Sequence, residues 1–154
     1  MIETNELFKI IPEIEDLINF AKFEVELEVP GRSQTHKIRL QLLDENEIYQ
    51  LFKQSGQDLN PADMMSRAEY MKIETLVQSI TMLDTKRYKS EDATEQDALL
   101  RELRYILGHT SPYLIDYVYK CYNELYEKRN QFADEKTEEL KKKFQQMLYK
   151  STPL

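Results

Sequence analysis

After Pro112 the chain runs to Tyr149 without a glycine or a proline. Ser111-Pro112 in front of that stretch is a helix start, a capping side chain followed by a proline whose fixed φ suits the first turn. If helical throughout, the stretch is ~57 Å long at 1.5 Å per residue, more than the diameter of a small domain. Its first half is dense in anchors: Leu114, Ile115, Val118, Tyr119, Cys121, Tyr122 and Leu125. From Glu127 to Glu139 the apolar residues are Phe132 and Ala133 alone, and Leu140, Phe144, Met147 and Leu148 then restore a stripe. A packed half followed by a charged half predicts one helix, or two, projecting beyond a globule. Hence we divide the chain into residues 1–126, a folded domain, and 127–154, a charged helical extension.

Residues 22–43 carry a different period. Phe23, Val25, Leu27 and Val29 alternate with Glu24, Glu26 and Glu28, and after Pro30-Gly31 the residues His36, Ile38, Leu40 and Leu42 alternate with Lys37, Arg39 and Gln41. Period two marks half-buried strands, and the break between them predicts a β-hairpin. Acids on one outward face oppose bases on the other, which favours the pairing. The remaining segments read as helices. Pro12 opens a short one carrying Ile14, Leu17, Ile18 and Phe20. Asp44 and Glu47 have capping-box spacing ahead of Ile48, Leu51 and Phe52, with Gly56 as a stop. Asn60-Pro61 starts another, carrying Met64, Met65, Ala68, Met71, Leu76, Val77, Ile80 and Leu83. Residues 84–93 are a polar loop. A further helix from about Thr94 buries Leu99, Leu100, Leu103, Ile106 and Leu107 and ends at Gly108. The fold class is therefore α+β: an N-terminal β-hairpin packed on four to five helices, the last of them long.

A formal net charge of −7 is the wrong sign for a protein that binds nucleic acid by neutralising phosphates, or that docks on anionic membrane. Cys121 is the single cysteine, so no intramolecular disulfide forms and a reducing compartment is expected. No signal-type apolar run opens the sequence and no stretch reaches the ~20 apolar residues of a membrane span. The expected location is the cytoplasm of the producing cell.

Catalytic chemistry finds no foothold. His36 and His109 are the only histidines, one on a strand and one in an interhelical turn, and no Cys/His grouping has metal spacing. Cys121 on an apolar helix face reads as a small core residue rather than a reactive thiol. There is no phosphate-cradling glycine motif. Neither a catalytic residue nor a metal or other cofactor is assigned, and no small-molecule substrate is expected. The aromatic residues say more. Tyr105, Tyr113, Tyr117, Tyr119, Tyr122 and Tyr126 cluster about one helix start, too many for one narrow face. Some rings must therefore reach the surface, as core-edge packing or as contacts to a partner. The candidate partner-binding residues are Tyr113, Tyr117, Tyr126, Phe132, Leu140, Phe144, Met147 and Leu148. The last five form a stripe that either folds back on the globule or meets another chain, and the charged middle favours the second.

The order of elements resembles tail-assembly chaperones and baseplate-hub assembly proteins of contractile-tailed bacteriophages. The matching stretches are Phe23-Glu24-Val25-Glu26-Leu27, Lys37-Ile38-Arg39-Leu40-Gln41-Leu42-Leu43-Asp44-Glu45-Asn46-Glu47, and the helix Met71-Lys72-Ile73-Glu74-Thr75-Leu76-Val77-Gln78-Ser79-Ile80-Thr81-Met82-Leu83-Asp84. Leu103 through Ser111-Pro112 and the tyrosine-rich run to Tyr122-Asn123-Glu124-Leu125 complete it. The resemblance implies a non-enzymatic role in building a phage tail or baseplate, by binding a tail or baseplate-hub protein or by self-association. A structural baseplate or connector subunit retained in the virion, and a host-directed regulator or small cellular adaptor, are the alternatives.

Overall fold

The computed structural model describes residues 16–17, 19–20, 22–57 and 64–151. Pro12, Asn60-Pro61 and the side chains of Met64 and Met65, each assigned a role above, lie outside them. Strands β1 (Glu24–Pro30) and β2 (Thr35–Gln41) form the expected hairpin. Glu26 stands opposite Arg39 and Glu28 opposite Lys37. On that outward face Arg39 reaches Glu24 at 3.6 Å and Glu26 at 3.3 Å, and Lys37 reaches Glu26 at 3.8 Å. The other face turns Val29, Ile38 and Leu40 into the core.

Helices α1 (Glu45–Gln57) and α2 (Met64–Ser79) follow, then strands β3 (Ile80–Leu83) and β4 (Lys86–Arg87), then helices α3 (Ala93–Gly108) and α4 (Pro112–Ser151). The fold is α+β, with four helices among the described residues and the long one last. The sheet has four antiparallel strands in the order β1-β2-β3-β4, where two were expected. Ile80 and Leu83 fit the apolar spacing of the preceding helix, yet α2 stops at Ser79, whose Oγ turns back to donate to the Leu76 carbonyl at 3.2 Å. From Ile80 the backbone pairs with β2 instead, with a register shift between Arg39 and Leu40 that marks a bulge. A second hairpin thus joins the end of the expected helix to the start of the polar loop, turned by Asp84-Thr85. Asp84 takes a left-handed φ of 53°, which short polar side chains tolerate best after glycine.

Asp84 also locks that turn onto β2. Its backbone N–H donates to the Lys37 carbonyl at 2.7 Å, its Oδ1 accepts from the Lys37 N–H at 2.9 Å, and its Oδ2 lies 2.7 Å from His36 Nδ1. The predicted capping box forms. Glu47 N–H donates to Asp44 Oδ1 at 2.8 Å, and Asp44 N–H donates to Glu47 Oε1 at 3.1 Å, a reciprocal box built on aspartate. Asp92 caps α3 by accepting from the N–H groups of Thr94 and Glu95. Gly56 does not stop α1, which continues to Gln57, and Phe52 is 56% exposed rather than part of the buried face with Leu51.

The core lies between the inner face of the sheet and the helices, around Leu40, Leu76, Val77, Ile80 and Leu103, all 0% exposed. One charge sits inside it. Glu74 is 4% exposed, and Arg104 from α3 closes over it with Nε 2.6 Å from Oε1 and Nη2 3.2 Å from Oε2. Among the described residues no helix is long and apolar enough to cross a membrane.

Candidate protein-binding surface

Helix α4 starts where the Ser111 carbonyl accepts from Leu114 and Ile115 N–H groups at 3.0 and 3.1 Å. Ile115, Val118 and Tyr122 face the core and root the helix. The Tyr122 hydroxyl accepts from the Leu43 N–H at 3.3 Å, and burial pushes its phenol pKa up. Tyr119 stacks on Tyr122 with ring centroids 6.4 Å apart. A turn further on, the Arg129 guanidinium covers the Tyr126 ring at 4.5 Å and reaches Glu45 of α1 at 3.5 Å. Phe132 then packs against Phe20 and Phe23, 5.3 Å from each ring.

Beyond that aromatic clasp the surface of the helix changes. Ala133 is half-buried, and every residue from Asp134 to Lys150 is exposed. The expected boundary at 126/127 therefore falls within an unbroken helix, and the packed part extends to Ala133. Nothing in this distal half interrupts α-helix. Lys136–Glu139 at 3.5 Å and Glu138–Lys141 at 3.3 Å pair one turn apart, and in the second the acid precedes the base, the order that the helix dipole favours.

The sequence-derived candidates separate into three groups. Tyr126 and Phe132 belong to the root of α4, half-buried against the globule. Tyr113, 87% exposed, and Tyr117, 47% exposed, stand on the first turns of the helix. Tyr117 is coupled by a hydrogen bond to Cys121, which raises the phenol pKa; Cys121 is half-buried there rather than sealed in the core. Leu140, Phe144, Met147 and Leu148 lie on the distal half, between 50% and 66% exposed. Spaced at i, i+4, i+7 and i+8, they occupy one side of the helix.

Among the described residues, the exposed rings of Tyr49, Phe52, Tyr70 and Tyr149 escaped the sequence reading. Tyr149 is 86% exposed beyond the stripe, and Tyr49 and Phe52 are exposed on α1. For Tyr149 the signal was present, since it follows Leu148 in the same charged stretch. For Phe52 none was, because its spacing matches that of Leu51 and only the packing direction of α1 separates them.

Elsewhere the surface is shallow or solvated. The hollow lined by Glu26, Lys37, Arg39, Met82 and Asp84 on the outer sheet face holds about 30 Å³, room for a water molecule or so. The His36 hydrogen bond and the Lys37 N–H lower the pKa of Asp84. Those contacts fix a turn, and no nucleophile accompanies them. Among the described residues no group of three or more His, Cys, Asp or Glu side chains could hold a metal ion. No protein family, curated protein or solved structure compared with the chain matches it.

Proposed function

We propose that this chain is a non-enzymatic assembly protein whose working surface is the distal half of α4. The observation that carries the reading is the exposure of Leu140 and Phe144, 63% and 59%, on a helix that has left its globule. Large apolar side chains in register on a projecting helix raise solubility costs unless something covers them, and such stripes serve as anchors for a partner. Covering them is worth about 25 cal/mol per Å² before the costs of association.

The resemblance of the sequence to tail-assembly chaperones and baseplate-hub assembly proteins directs the proposal to bacteriophage tail or baseplate assembly, with a tail or hub protein as partner. Affinity capture with tagged protein, in cells producing the phage, tests this. The intact chain should recover a tail or baseplate-hub protein, and a Leu140→Glu/Phe144→Glu chain should not. Mass spectrometry of purified particles then separates a chaperone, absent from the particle, from a structural subunit present at fixed copy number. Equal recovery by both chains would remove the surface from consideration.

A further inference from the structure

We propose that the distal half of α4 seats an amphipathic helix of another protein whose apolar seam is flanked by carboxylates. This rests on the surface assigned above and adds the chemistry of what covers it.

Leu140, Phe144 and Met147 follow one another at spacings of four and three, the pattern of a helix-to-helix seam. At ~100° per residue they point to roughly the same side of α4 as Val118 and Tyr122, which bind the globule lower down. An occupant would therefore extend a packing direction that the helix already uses.

Charge selects the occupant. Lys136, Lys143 and Lys150 are seven residues apart, so they form a column along one border of the stripe. Lys141 stands on the other border with Asp134 one heptad before it, and Glu135, Glu138 and Glu139 turn towards the back of the helix. Among the described residues Lys143 and Lys150 meet no acid, and Lys136 and Lys141 meet only neighbours on their own helix.

A second copy of the chain fits badly. Packed antiparallel, the lysine column would lie along its own image, Lys143 beside Lys143. Packed parallel, Lys136 of one helix would face Lys141 of the other. Like charges at these bordering positions oppose pairing. A helix bearing glutamate or aspartate there would meet four lysines against one acid, Asp134.

The probes are two designed helical peptides about four heptads long, with leucine along the seam and either glutamate or lysine at every bordering position. Fluorescence anisotropy measures each against the full-length protein at low and high salt. The glutamate peptide should bind about tenfold more tightly than the lysine peptide, and salt should close the gap. A Lys136→Glu/Lys143→Glu/Lys150→Glu protein, with its circular dichroism unchanged, should reverse the order.

Equal binding of the two peptides, or binding of neither, would overturn the acidic partner, while loss of capture by Leu140→Glu/Phe144→Glu would leave the surface itself standing. Dimers in sedimentation that dissociate on Phe144→Glu would also overturn it, making a second copy the occupant. So would glutamate-peptide binding only to a protein whose Glu3, Glu6, Glu13 and Glu15 are changed to lysine, since the chain's own acidic N-terminal residues would then be what covers the stripe.

Discussion

Glu74 is the residue on which the packing of α2 against α3 depends most sharply. A carboxylate 4% exposed is tolerable because Arg104 meets both of its oxygens. Removing one partner of such a pair leaves a charge without compensation. The Arg104 side chain is itself 41% exposed, so water can reach part of the gap. Arg104→Ala should therefore cost about 2 kcal/mol, below the range for a fully enclosed pair, measured by urea unfolding. Asp84 gives a pH signature. Its hydrogen bond to His36, and then that from the Lys37 N–H, hold its pKa below the ordinary 3.8. The folded state thus favours the ionised form. The stability it contributes is complete above the ordinary carboxylate range and is lost as pH falls through the depressed value. Glu102, lowered by Lys86 and Tyr88, acts in the same direction on the same hairpin. The protection factor of the Tyr88 amide, which donates to the Thr81 carbonyl, should fall as the pH is lowered through that window, and Asp84→Asn should weaken the acid dependence. Neither residue's role could be read from the sequence, where Asp84 was a loop residue and Glu74 one acid among many. Both roles arise from partners 30 to 48 positions away.

Helix ends and the first hairpin are set by residues close in sequence, and those elements were legible. The Asp44–Glu47 box, Gly108 before the C-cap, and the alternation in β1 and β2 are each carried by neighbours or by a fixed period. Asp44→Ala should destabilise the protein by about 1 kcal/mol, seen as a lower unfolding midpoint, because it removes one half of that reciprocal box and exposes the Glu47 N–H. Strands β3 and β4 were not legible. Ile80-Thr81-Met82-Leu83 continues an apolar helical spacing, and its conversion to strand depends on the free edge of β2, which exists only once the chain has folded. The break at Ser79 had a local hint in the β-branched pair Ile80-Thr81, outweighed by the flanking pattern. Along α4 the change in composition after Glu127 was legible, while the half-buried residues run on to Ala133. Phe132 looked like part of the outer stripe, and its packing on Phe20 and Phe23 joins it to the globule.

At the scale of the molecule, folding and recognition occupy different parts of the chain. Leu140 and Phe144 contribute little to the core, so Phe144→Glu should leave the urea midpoint within about 0.5 kcal/mol of the parent while abolishing partner capture. A substitution that lowered both together would place the ring in the folded core instead. The continuity of α4 also has a geometric consequence. Between Phe132, where the aromatic clasp ends, and Phe144, at the middle of the stripe, the axis advances ~18 Å at 1.5 Å per residue. A partner docked on the arm as proposed would be held at that standoff from the sheet, and the helix would act as a ruler as well as a handle. Lengthening it by one heptad before Asp134 would move the cargo outward by ~10 Å with nearly the same azimuth, whereas adding two residues would swing it round to the opposite side.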